Sequence, residues 1–478
     1  MSEASGPRSS SDATTPGLGE IQRPAIAGHI AARIDRLPLT RVHWELAILV
    51  EIAWGFIIVD TDGIGARLYP FVWRPLHVID AVQYGVIQAL QVGLGVLLGA
   101  YIMSWVAGRF GRRPAIILSA LLGGLFLWPF AYVTNFWGLV GLSVLSTLGV
   151  GGIVATHAVY LAEMTSPEVR SHVLLASQAV TALVGVFVSL LGFWWIHGHW
   201  QLFIWVSGAL LIVVILPLLI WRLPESPRWL EAVGRHAEAE AAMAEFERRS
   251  ARAINAPLPE PTTGQHPVIL AGREAWHELF TSPRYRGRVL TLIVCWVFGY
   301  SGIVYGVGAF ASVYMVDHGG SPHFVFLVYM IAYVFVFFAF LANSWLRERV
   351  ERRDTILLMT ITFSVALIVM YFVPTKPVMA IFLTISRVGT VLWLFNMYNY
   401  TAVAFPTRIR SVAFAWTDGL GHLGAWAGVT LIGLLYGLGP NHLGWFLFII
   451  LPGALLPGLL IRAAGIKQAG AVLEQVST

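Results

Sequence analysis

Apolar runs of similar length recur along most of the chain, separated by short polar turns. Twelve are long enough, at about 20 residues, to cross a bilayer as helices: residues 44–66, 81–105, 114–133, 137–162, 172–196, 200–221, 289–315, 323–343, 355–373, 378–402, 411–435 and 442–463. Two polar stretches interrupt the series. Residues 1–40, rich in Ser, Pro, Gly and Thr, predict a disordered cytoplasmic tail. Residues 223–284 predict a cytoplasmic linker with short amphipathic helices. The pattern predicts an all-α membrane protein with twelve transmembrane helices in two six-helix halves. Residues 41–222 form the first bundle, 285–465 the second, and 466–478 a C-terminal tail.

Composition supports this pattern. Only 12% of the 478 residues are charged and 57% are hydrophobic, against about 25% charged in a soluble domain. The single Cys295 excludes a disulfide framework, a thiolate zinc site and a CxxC redox pair. A net charge of +5 could suggest nucleic acid, but the positions of the basic residues explain it otherwise. With the amino terminus in the cytoplasm, all 31 lysines and arginines fall on the cytoplasmic side except Arg67, Arg74, Lys376 and Arg387. That is the positive-inside bias of a multi-pass protein. The first 40 residues lack the apolar core of a cleavable signal.

The basic loops also repeat. Residues 107–114 (AGRFGRRP) lie between spans 2 and 3, and residues 346–353 (LRERVERR) lie at the equivalent place between spans 8 and 9. Paired halves with a site at their interface are a transporter architecture. The first loop resembles the signature loop of the major facilitator superfamily. Residues 224–230 (PESPRWL) are similar to the motif after span 6 in sugar porters and their organic-ion and aromatic-acid relatives. Residues 160–170 (YLAEMTSPEVR) and 405–410 (FPTRIR) resemble further loop motifs of that group. The resemblance covers residues 40–465 and implies a carrier working by alternating access.

In the family, loop acids and arginines form an ion-pair network that holds the inner gate shut. Carried onto this chain, the resemblance implies Arg109, Arg112, Glu163, Arg170, Glu225 and Arg228 in the first half. In the second half it implies Glu348, Arg349, Glu351, Arg352 and Arg408. The chain departs from the pattern at Gly108 and Val403, where the relatives carry acids, and at Ser104, where they carry glycine. Two missing acids predict a weaker inner gate biased towards the inward-open state, unless Glu348 and Glu351 compensate.

An ionisable side chain at membrane depth costs about 2.5 to 3.5 kcal/mol on insertion scales, so each such residue is a candidate for chemistry. Span 1 holds Glu51, Asp60 and Asp62, where relatives often carry a proton-handling Asp-Gly-x-Asp. Each is a proton-coupling candidate; the alternatives are a wet outer end or a pair with Arg67 for the aspartates, and a structural acid facing span 5 or the loop arginines for Glu51. Asp418 and His422 in span 11 are four residues apart and share a face, so they could store a proton or simply stabilise helix packing. Arg387, the one basic residue within a span, is either a structural link or an anion site suited to carboxylates. His157, Gln178, Tyr300, Tyr305, Asn396 and Asn399 offer hydrogen bonds to a solute. Trp54, Trp393 and Trp416 offer flat apolar walls, although tryptophans also anchor helices at the lipid interface.

The expected function is proton-coupled uptake of a small organic solute, with an organic or aromatic acid favoured. A sugar or polyol porter is the alternative, and a proton-antiport exporter of organic cations or drugs the second. No HExxH, GxSxG or nucleotide-binding loop is present, so no enzyme, metal or cofactor is implied. The expected partners are the solute, protons and the lipid bilayer, with no nucleic acid. The expected setting is a monomer in the plasma (inner) membrane with both termini cytoplasmic.

Overall fold

The structure, a computed structural model, describes residues 29–59, 66–261, 272–346, 350–406, 409–439 and 443–465. In hydrocarbon every backbone N–H and C=O must be paired within the segment, and the apolar runs answer with helix. Among the described residues, ten helices are long and apolar enough to cross a membrane. They are Ala81–Arg109 (span 2), Arg112–Ala131 (3), Phe136–Glu163 (4), Pro167–Trp195 (5), Trp200–Arg222 (6), Pro283–Asp317 (7), Pro322–Leu346 (8), Arg352–Phe372 (9), Lys376–Val403 (10) and Val412–Gly437 (11). Arg41–Val59 (span 1), which carries Arg41, Glu45 and Glu51, and Leu443–Ala464 (span 12) complete the twelve. Several helices outrun their apolar windows: spans 5 and 7 start on Pro167 and Pro283, whose fixed φ and missing N–H suit a first helical turn.

The side that carries the amino terminus and the linker is the linker side, and the opposite one is the far side. Spans 2 and 11 pack across the two halves, as do spans 5 and 8. At the first crossing Gly85 and Gly433 touch backbone to backbone, and a Cβ on Gly85 would lie 2.6 Å from the Gly433 Cα. At the second, a Cβ on Gly192 would lie 2.0 Å from the Phe326 ring. Small residues are what allow such close helix approach.

The far side is shut by contacts between the halves. Tyr84 donates to the Ala309 carbonyl (2.7 Å), Arg74 pairs with Asp317 (2.7 Å), and Tyr84 stacks on Tyr69 while its edge meets Phe310. On the linker side, His172 and Ser344 form a hydrogen bond across the halves (3.0 Å).

The tail differs from expectation at its end. Residues His29–Asp35 form a helix where disorder is predicted through residue 40. Ile30, Ile34 and Leu37 recur at helical spacing and are buried against the first half and the linker helix His236–Ile254. Arg33 bonds Glu240 and Glu247, Arg36 bonds Glu247, and Asp35 pairs with Arg228. Between spans 6 and 7 lie the helices Pro227–Ala232, His236–Ile254 and Gly272–Thr281.

Candidate functional site

Span 1 carries Glu51 into the middle of the first half, fully buried. One face of span 5 meets it with three donors at adjacent helical positions: Ser177 Oγ (3.2 Å), Gln178 Nε2 (3.0 Å) and Thr181 Oγ1 (2.9 Å). Among the described residues no lysine or arginine pairs with it. Gln178 Nε2 also approaches His157 Nε2 (3.4 Å). His157 Nδ1 faces the Ile153 carbonyl (2.7 Å), which can only accept, so Nδ1 holds the hydrogen and Nε2 is the acceptor. Trp54, one turn along span 1, stacks flat on the His157 ring, with centroids 5.0 Å apart. Four predicted residues, Glu51, Trp54, His157 and Gln178, thus converge. Ser177 and Thr181 were missed; hydroxyls four residues apart flanking a glutamine in a membrane helix are the signal that could have found them.

The second half holds its own cluster. A π turn, Tyr300–Val304, interrupts span 7, and such turns often mark functional places. Tyr300 Oη donates to Asp418 Oδ1 (2.5 Å) and lies 2.9 Å from Tyr398 Oη, joining spans 7, 10 and 11. His422 packs against the Tyr300 ring (4.6 Å) and faces Tyr305 (6.2 Å). Asp418 and His422 share a face as expected, but the imidazole bonds the Asp418 backbone carbonyl (3.0 Å) while the carboxylate bonds Tyr300. Trp393 is fully buried against Trp296. Trp416 is 39% exposed and meets Phe280 of the linker.

The amides serve packing. Asn396 donates to Asn343 and to the Leu392 carbonyl, and Asn399 donates to the Phe395 carbonyl. Arg387 donates to Tyr333 Oη (3.2 Å) and borders a narrow niche between spans 7, 8 and 10, walled by Tyr329, Ser386, Thr390 and apolar side chains. Arg67, counted on the side opposite the basic loops, is 1% exposed. It lies at the far-side junction of the halves, its guanidinium roofed by the rings of Phe326 and Tyr329. Asp60 and Asp62 lie outside the described residues.

The loop network forms in part. Arg112 grips Glu163 (2.7 Å), and the backbone N–H groups of Arg112 and Arg113 donate to Glu225 at the start of span 3. Donors at a helix N-terminus favour such an anion. Gly111, at φ +119°, makes room for it: a Cβ there would stand 2.0 Å from Glu225 Oε2. Burial raises the Glu225 carboxyl above its ordinary value, against the opposing backbone hydrogen bonds. Arg228 turns to Asp35, Arg170 donates to the Thr165 carbonyl, and Arg109 is exposed. Arg352 opens span 9. Glu348, Arg349 and Arg408 lie outside the described residues.

Comparison with known proteins agrees with this architecture. A family model, Major Facilitator Superfamily, matches residues 46–429. The 4-hydroxybenzoate transporter PcaK of Pseudomonas aeruginosa is 27% identical, over 94% of this chain and 97% of its own. The niacin transporter NiaP of Acinetobacter baylyi is 25% identical, over 83% of this chain and 88% of its own. The inward-open structure of the xylose transporter XylE from Escherichia coli superposes with a TM-score of 0.67 at 16% identity, covering 90% of this chain and 97% of that one. The chain, a transporter and not an enzyme, belongs to the major facilitator superfamily.

Proposed function

We propose that this transporter couples proton entry to the uptake of a small organic acid, with Glu51 as the proton site and Arg387 as the contact for the carboxylate. The observation that carries the reading is Glu51 itself. A carboxyl group buried at membrane depth is costly, and among the described residues no cation offsets it; its hydroxyl and amide neighbours can serve it with or without a proton. The Asp418, Tyr300 and Tyr398 cluster of the second half is a second place for a proton.

Two observations favour an acid over a sugar. Gln178, Asn396 and Asn399, the amides a sugar would need, are engaged by Glu51 and by helix packing. Arg387 borders the niche between spans 7, 8 and 10. The names of the relatives PcaK and NiaP, transporters of 4-hydroxybenzoate and niacin, support the same class. The linker side, with its arginines, is read as cytoplasmic, in a plasma membrane and as a monomer.

The test is uptake by purified protein in liposomes, with carboxylates, sugars and amines compared under an imposed inward proton gradient. Carboxylate uptake that collapses with the gradient is the expected result. Uptake indifferent to the gradient removes proton coupling, and transport of sugars or amines alone removes the acid.

A further inference from the structure

Arg67 is a charge buried at the far-side junction of the halves. It is 1% exposed, and among the described residues it has no acidic partner. A guanidinium carries five N–H donors, yet one hydrogen bond is made, from Nη1 to Ser189 Oγ at a long 3.3 Å, and Nε is buried with no acceptor. Buried polar groups in native proteins are nearly always paired, so this arrangement needs a reason. The remaining contact is aromatic: the guanidinium carbon lies 4.4 Å from the Tyr329 ring centroid and 5.3 Å from that of Phe326.

The partners divide between the halves. Arg67 and Ser189 belong to the first half, and Phe326 and Tyr329 begin span 8 of the second. Tyr329 also walls the niche that Arg387 borders, so the two arginines flank one tyrosine, one from each half. Separating the halves on the far side, as alternating access requires, lifts Phe326 and Tyr329 away and leaves Arg67 facing the opened vestibule with its donors unmet.

We infer that Arg67 is a carboxylate-capture residue of the outward-facing state, pairing with an incoming anion before Arg387 does and returning to the aromatic rings when the far side closes. A carboxylate can take two parallel N–H bonds from one guanidinium, which are the donors left idle in this structure. This step rests on the organic-acid reading above and adds to it a sidedness: Arg67 serves entry from the far side and not from the linker side.

The experiment compares wild type with Arg67→Gln and Arg67→Lys in right-side-out and inside-out vesicles, using radiolabelled 4-hydroxybenzoate and nicotinate as probes and 4-hydroxybenzamide as a neutral competitor. The expected result for Arg67→Gln is a KM raised by about tenfold or more, the loss of roughly one charged hydrogen-bonding pair, from the far side only. Competition by the amide is unchanged, and Arg67→Lys retains part of the affinity. A KM unchanged from the far side, or shifted equally from both sides or for acid and amide alike, overturns the inference. So does restoration of Arg67→Gln by Asp62→Asn, which makes the arginine a counter-ion. A wild type that takes up neither acid fails the organic-acid reading and this one together, whereas acid uptake indifferent to Arg67 fails this one alone.

Discussion

Thr181 Oγ1 stands 2.9 Å from Glu51 Oε2 and 3.2 Å from the Glu51 backbone carbonyl. A hydroxyl both donates and accepts, so it can serve two states. With Glu51 ionised, Thr181 donates to the carboxylate. With Glu51 protonated, the acid donates to Thr181, which turns its own hydrogen to the carbonyl. Neither Glu51 nor Thr181 has a donor or acceptor stranded in either state, and stranding one costs about 1 to 3 kcal/mol.

Glu51→Gln is therefore expected to abolish uptake driven by a pH gradient while leaving solute exchange between the two sides of a liposome intact. Thr181→Val, which keeps the shape and removes the hydroxyl, should slow driven uptake by about tenfold, one stranded group's worth, and Thr181→Ser should restore it. Driven uptake at the wild-type rate in Glu51→Gln would remove Glu51 from the proton path.

The Gly85 and Gly433 crossing predicts a conformational lock. Each glycine lies under 3 Å from the place where the other's side chain would begin. Gly433→Leu must push spans 2 and 11 apart on the far side, where overpacking costs about 1 to 3 kcal/mol. A near-balanced equilibrium should then move several-fold towards outward-open. Spin labels at exposed Leu76 and Leu438 would read it, since the one native cysteine, Cys295, is buried. The far-side distance should lengthen in Gly433→Leu, and an unchanged distribution counts against this crossing as the far-side seal.

Tyr300 Oη ties Asp418 to Tyr398 across three helices. A hydrogen bond to a charged group is worth about 1.5 to 3 kcal/mol, so Tyr300→Phe should lower driven uptake by about ten- to a hundredfold if Asp418 works ionised. The double variant Tyr300→Phe with Asp418→Asn should then be no worse than Asp418→Asn alone. Additive losses would show that the two act separately.

The inner gate offers a gain-of-contact test. Gly108 stands where relatives carry an acid, and a Cβ there meets nothing within 4 Å. Partly exposed pairs are worth about 0.2 to 1 kcal/mol, so Gly108→Asp with Val403→Glu should shift the apo protein a few-fold away from inward-open. Electron-resonance distances across the linker side measure it. An apo wild type already mostly outward-open ends the weak-gate expectation.

Much of this architecture was legible in one sequence because hydrocarbon imposes one rule on every span. Among the described residues the ten membrane-length helices follow the apolar runs closely, and the ends moved where a charged turn such as Pro283 to Arg288 could continue a helix into water. Glu51, His157 and Gln178 were singled out because polarity at membrane depth is conspicuous. Their mutual contact was not legible, since it depends on how spans 1, 4 and 5 rotate against one another. The depth of Arg67 was legible but its burial was not, because sequence position gives depth along a helix and not the aromatic roof that the other half supplies. The tail helix was obscured by the composition of the residues before it; Arg33 finds Glu240 and Glu247 more than 200 positions away.

That tail contact sets the last prediction. Partial burial pushes the Glu247 carboxyl up, but hydrogen bonds from Arg33 and Arg36 outweigh it and hold the group below its ordinary value of 4.5. A depressed carboxyl stabilises the docked state fully above the undocked value and loses that contribution as pH falls through the docked one. Docking of His29–Asp35 should therefore be constant between pH 6 and 8, and weaken only in acid below the ordinary glutamate range. Glu247→Gln should release it at neutral pH. Arg33 is 6% exposed when docked, so trypsin should cut after Arg33 slowly in wild type and several-fold faster in Glu247→Gln. Equal cleavage rates in the two proteins at pH 7 would show that the buried Ile30, Ile34 and Leu37 hold the helix without the ion pairs.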